Sequence, residues 1–257
     1  MGGLLLKLVL TPVLVGAASV AGRKWGAEVG GWLVGIPWTS GPIAFFLALD
    51  SGPRFASDAA IGILAGTVSQ VVFALAYAWI ALRAGWTVSF AASTISFLAL
   101  TAMLDWLRLE LAVTFAVAVA SLVVALALMP RRRVARPAVG PPPWWDIPAR
   151  MLVATTFVIV LTAAAPALGA RLAGLLSPFP LYATVLAVFA HRLQGGDAAV
   201  GVLRGLVLGL FGFAGFFAVV ALLLVPDGMA IAFSMALVVA LAVQAASLAT
   251  GRILKIA

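Results

Sequence analysis

From Leu111 to Met129 the chain carries no charged side chain, and comparable apolar stretches recur along its whole length. About 20 such residues in a helix span about 30 Å, the hydrocarbon thickness of a bilayer, and a helix pairs its own backbone groups where water is absent. Nine stretches of this kind can be read, near 4–22, 29–49, 57–82, 86–104, 109–129, 148–168, 171–190, 198–225 and 229–250. The expected fold is therefore an all-α polytopic membrane protein with nine transmembrane helices. Composition closes off the soluble alternative: of 257 residues 65% are hydrophobic and 9% charged, too little polar surface to cover a globule. With no cysteine, disulfides, thiolate nucleophiles and thiolate metal sites are excluded.

The N-terminus has some features of a secretory signal, since Lys7 precedes an apolar run and Ser19-Val20-Ala21 offers small residues for cleavage. The expectation is that this run is retained and spans.

The net charge of +8 follows the helices rather than an exposed basic face, which speaks for membrane topology and against nucleic acid. One connection stands apart: Arg131-Arg132-Arg133-Val134-Ala135-Arg136-Pro137 followed by Pro141-Pro142-Pro143-Trp144-Trp145, basic, proline-rich and ending in an aromatic pair suited to the interface. Taking that linker as cytoplasmic gives the same side Arg23, Lys24, Arg83, the four linker arginines, Arg150, Arg192, Arg252 and Lys255, and the opposite side Lys7, Arg54, Arg108 and Arg171. Arg204 falls within a helix. The bias predicts an N-terminus outside and a C-terminus in the cytoplasm of a cell inner (plasma) membrane.

The chain also repeats itself. Asp58-Ala59-Ala60-Ile61-Gly62-Ile63-Leu64-Ala65-Gly66 recurs as Asp197-Ala198-Ala199-Val200-Gly201-Val202-Leu203-Arg204-Gly205, 139 residues later. Gly35 matches Gly174 at the same offset, and Pro42 matches Pro180 one residue out of step. The chain then divides into a first four-helix repeat (1–105), a linking helix with its basic linker (106–146) and a second four-helix repeat (147–257). The odd spacer makes the repeats inverted, a plan common among secondary transporters and also expected of a channel or of a fused dual-topology dimer.

The second repeat, with Leu172-Ala173-Gly174-Leu175 leading to Phe179-Pro180 and then to His191-Arg192, resembles the GlpM family of small four-helix membrane proteins. The first repeat resembles it more weakly, through Gly35, Pro37 and Pro42. The resemblance implies a four-helix unit and a loose association with exopolysaccharide production, and it brings no catalytic residues.

Prolines in segments two and seven remove backbone donors at membrane depth, so both helices are expected to be broken. Two readings follow for Pro37, Thr39, Ser40, Gly41 and Pro42 and for Ser177, Pro178 and Pro180: a substrate site facing half-helix N-termini, or packing kinks. Gly62 and Gly66, and Gly201, Gly205 and Gly209, fall on helix faces at four-residue steps, which predicts close helix packing near the pseudo-twofold axis or a narrow pore. Asp58 and Asp197 are expected as helix caps or as ion-coupling carboxylates. Arg204, about two turns into an apolar segment, is expected either to attract an anionic substrate or to snorkel to the interface. Gln70 and Gln244 add polar groups that could bond a neighbouring helix.

Enzymes need converging acids, bases, nucleophiles or metal ligands, and a lone His191 at a loop with no paired carboxylates in a span supplies none. The expectation is a non-enzymatic transporter or facilitator, without cofactor, acting on a small polar, anionic or lipid-like substrate. Its expected partners are membrane lipids, and it is expected to be a monomer or homodimer. The alternative is a non-catalytic subunit of an exopolysaccharide or envelope assembly.

Overall fold

The computed structural model describes residues 2–37, 40–107, 109–130, 143–156, 159 and 179–253. Among these the regular structure is entirely helical: α1 (Gly2–Trp25), α2 (Ala27–Val34), α3 (Ser40–Ser51), α4 (Pro53–Ala81), α5 (Trp86–Leu107), α6 (Leu111–Leu128), α7 (Leu181–Gln194), α8 (Gly196–Leu223) and α9 (Gly228–Ile253). Residues 146–156 are helical as well. Among the described residues five spans, within α4, α5, α6, α8 and α9, are long and apolar enough to cross a membrane. The protein is thus an all-helical chain of membrane-spanning character.

The helices end where the sequence supplies the means. Gly52 and Gly195 stand before α4 and α8 with φ of 88° and 93°, a left-handed conformation that glycine adopts without a Cβ clash. Pro53 follows at the first position of α4, where its missing N–H has no helical partner anyway.

Two helices form the centre. Of the spanning windows, α8 has 72% of its residues buried and α4 56%, against 22% for each of α5, α6 and α9, which leaves those three at the periphery of the bundle. The α4 and α8 helices run antiparallel. Near the start of α4 the Ser57 hydroxyl donates to Ala221 O near the end of α8 at 2.9 Å. At the other end, Gly196 opens α8 against Ala81 O, and a Cβ there would stand 3.4 Å from Leu82 N. These two contacts are reciprocal in the sequence repeat, because Gly196 is Ser57 displaced by 139 residues and Ala221 is Leu82 displaced by the same number.

Other contacts follow the same exchange. The α4 helix packs on α3 and α5 as α8 packs on α7 and α9, and α6 touches both α4 and α8. The core between them is filled by Phe73, Tyr77, Leu203, Leu206, Leu210 and Phe217.

Close approach of α2 to α8 depends on glycine. Gly31 and Gly35 of α2 lie against the backbone at Val202, Leu206 and Gly209, and Gly205 lies against Glu28. A Cβ on Gly209 would come within 2.6 Å of Trp32 O. This is the packing expected of small residues at four-residue steps. Gly62 departs from that expectation: it is exposed, and a Cβ there meets nothing within 4 Å, so it makes no helix contact.

Candidate functional site

Segment two is interrupted, as its prolines predict. The α2 helix stops at Val34, with Gly35 N donating to Trp32 O (3.1 Å) and Ile36 N to Leu33 O (3.4 Å) in a tightened last turn. Pro37 is buried in the gap, and its carbonyl accepts from Gly41 N at 2.9 Å, which launches α3. Pro42 sits in the first turn of α3, a position proline tolerates. Ser40 and Gly41 are buried there, and Gly41 abuts the Phe216 ring of α8. Thr39 lies outside the described residues, as does the side chain of Pro42.

For segment seven the described chain begins at Phe179. Buried Pro180 precedes α7, and its carbonyl accepts from Thr184 N at 2.8 Å. Phe179 packs edge-on to Phe73 of α4 (5.7 Å) and Phe97 of α5 (5.3 Å). Ser177 and Pro178 lie outside the described residues.

The two regions occupy the middle of the bundle and adjoin each other. Gly209, opposite Gly35, is at the centre of α8, and Phe97, opposite Phe179, is at the centre of α5. Val34, the last residue of α2, packs into a cluster with Val15, Ala154, Tyr182 and Val185, which joins the end of α2 to the first turn of α7. Inside that junction the hydroxyls of Thr11 and Tyr182 are 3.0 Å apart, both buried. The hydroxyl of Thr184, one turn past Pro180, is buried without a hydrogen-bond partner. Tyr182, Thr11 and Thr184 were not among the residues the sequence singled out. Tyr182 follows Pro180 by two positions, and only the packing of α1 on α7 makes it a pair with Thr11.

Aromatic rings flank the first break, where Phe216 abuts Gly41. Phe216 meets Phe217 (5.1 Å) and Phe233 (6.2 Å), and Phe45 meets Phe233 (5.1 Å). What the arrangement offers is a mid-depth junction of two helix starts, with hydroxyls and a backbone turn set among rings. Among the described residues no group of three or more histidine, aspartate or glutamate side chains could hold a metal.

The other candidates lie elsewhere. Arg204 is 7% exposed, and its Nη2 donates to Pro130 O (3.0 Å) and more distantly to Met129 O (3.5 Å). Those carbonyls follow the last turn of α6, where a helix leaves acceptors unpaired and carries partial negative charge, so the guanidinium serves as a C-cap. Neither aspartate is a cap either, since Gly52 and Gly195 hold the N-cap positions without side-chain bonds. Asp58 is exposed in the second turn of α4. Asp197 lies in the first turn of α8, where a carboxylate suits the helix dipole. Gln244 bonds across helices, giving Nε2 to Trp32 O at 2.9 Å, and Trp32 Nε1 returns a bond to Gln244 O at 3.2 Å.

His191, at the end of α7, meets the buried Tyr77 hydroxyl through Nδ1 at 3.4 Å, and its desolvation lowers the imidazole pKa from the usual value. No protein-family model, curated protein or solved structure matches this chain.

Proposed function

We propose that the protein is a membrane transporter or facilitator built from two inverted four-helix repeats, with its site at the paired helix breaks near mid-membrane. The observation that carries this reading is the reciprocity of α4 and α8: Ser57 against Ala221, and its counterpart Gly196 against Ala81 and Leu82. Such an exchange is what a twofold axis in the membrane plane produces between inverted repeats, and sites in that architecture sit where broken helices meet. On this reading the chain crosses an inner membrane nine times, with the N-terminus outside and the C-terminus cytoplasmic. Each half is then one four-helix unit of the kind the GlpM resemblance implies.

Ser40 and Gly41 at the first break and the Thr11–Tyr182 pair at the second, with Phe216 and Phe179 beside them, suit an amphipathic substrate whose polar group meets hydroxyls and amides while its apolar part meets the rings. Anionic and polar small molecules fall within the same reading.

Because the chain has no cysteine, single-thiol variants test it directly. Ser40→Cys in vesicles should react with an impermeant, water-soluble thiol reagent added from either face in separate experiments. A thiol that never reacts from either side would sink the transport reading.

One observation favours a second reading, a non-catalytic subunit of an envelope or exopolysaccharide assembly. The α2–α8 seam is closed backbone to backbone and pinned by Trp32 and Gln244, as a rigid scaffold would be. A protein that is stable only together with a partner, and whose Ser40→Cys thiol stays inert, would support it.

A further inference from the structure

The ends of α1, α4 and α7 share one face of the bundle with the start of α8, and Asp146 and Arg150 meet that face at Arg23 and Phe189. At its edge Asp146, 1% exposed, accepts Arg23 Nη2 on one carboxylate oxygen (2.8 Å) and Arg150 Nε on the other (2.9 Å). The Arg150 guanidinium also stands over the Phe189 ring of α7 at 5.2 Å. The carboxylate therefore fixes the last turn of α1 and the last turns of α7 to the segment that follows the basic linker.

Three carboxylates do not balance the cations gathered here. On the same helix ends Arg23, Lys24, Arg83, Arg150 and Arg192 stand against Glu28, Asp146 and Asp197, which leaves two net positive charges, with Lys24 and Arg192 exposed. Three indoles stand among them, with Trp25 62%, Trp144 86% and Trp145 40% exposed, and Lys24 Nζ lies 5.1 Å from the Trp25 ring centre. Exposed tryptophans on a membrane-spanning chain belong at the headgroup level, where a ring can keep its apolar edge in the acyl region. Cations at that level attract anionic headgroups.

We propose that this collar is a binding site for an anionic phospholipid headgroup, with the phosphate received by Lys24, Arg192 and the outer side of Arg23 and the indoles seated at the acyl boundary. The site is built rather than diffuse, because Asp146 holds Arg23 in place while its own charge is offset by the paired Arg23 and Arg150 guanidiniums. It needs only a membrane-embedded chain and is independent of any transported substrate.

The test uses the full chain in detergent, titrated with phosphatidylglycerol brominated in its acyl chains and, separately, with phosphatidylcholine brominated in the same way, reading tryptophan quenching. The anionic lipid should quench at lower concentration than the zwitterionic one, and added salt should narrow the gap. Lys24→Gln and Arg192→Gln leave the Asp146 pairs intact, and each should weaken the anionic lipid about fivefold without changing the zwitterionic titration. Unchanged phosphatidylglycerol binding in both variants would overturn the proposal. So would full displacement of the lipid by inorganic phosphate at equal concentration, which would mark a site for a free anion.

Discussion

Gly35 and Gly209 meet backbone to backbone: a Cβ on Gly35 would lie 2.5 Å from Gly209 Cα. The first helix break is therefore held against the centre of α8 by two missing side chains. Gly209→Ala should destabilise the protein by about 3 kcal/mol or more, because neither helix backbone can give way. Gly62→Leu, at an exposed position with nothing within 4 Å, should change stability by less than about 0.5 kcal/mol. Thermal unfolding of both variants in the same detergent checks the contrast, and equal effects would refute this account of the seam.

Arg204 caps α6, so removing its charge should loosen a helix it does not belong to. Arg204→Met should destabilise by about 2 kcal/mol, the scale of a buried hydrogen bond from a charged donor. Hydrogen exchange should accelerate at residues 125–129 more than in α9. Protection lost uniformly along the chain would argue against a local cap.

Asp146 joins Arg23 to Arg150 from a buried position, and replacing it leaves the buried Arg150 without its partner. Asp146→Asn should lower stability by about 3 kcal/mol, since breaking a buried pair leaves the partner's charge uncompensated. The double variant Asp146→Asn with Arg150→Met should recover part of the loss. A double-mutant cycle with no coupling would refute the pairing.

His191 gives the protein a defined acid sensitivity. Its folded pKa is lowered by desolvation while the unfolded value stays near 6.5, so below about 6.5 the unfolded chain binds the proton first. The stability tied to neutral His191 is present above that pH and is lost as pH falls through and below it. Melting temperatures from pH 7.5 to 5 should fall, and His191→Gln should flatten that fall. An unchanged slope in the variant would assign the effect to other groups.

Helicity was legible because it rests on a local rule, the long uncharged run, whereas the starts of α4 and α8 were not. The break in segment two was legible for the same reason, since Pro37 lacks a donor wherever the chain places it. Partners across the bundle were not. Arg204 reads in sequence as a charge in an apolar run, and nothing near it in the chain names Pro130, 74 residues away. Asp58 and Asp197 read as caps only because the helix starts at Pro53 and Gly196 were not apparent from hydrophobicity. Thr11 and Tyr182 are separated by 171 residues and carry no motif, so their pairing exists only in the packed form.

By itself the sequence determined that the chain belongs in a bilayer as helices and that one half echoes the other at an offset of 139 residues, because hydrophobic run length and repeat spacing are properties of the chain alone. Only the tertiary structure decided which glycines touch. Gly62 and Gly209 share the same four-residue spacing signal, yet one faces open space and the other a helix backbone. A glycine's spacing gives the face it occupies, and the neighbouring helix, fixed by packing across the whole bundle, decides whether that face is filled.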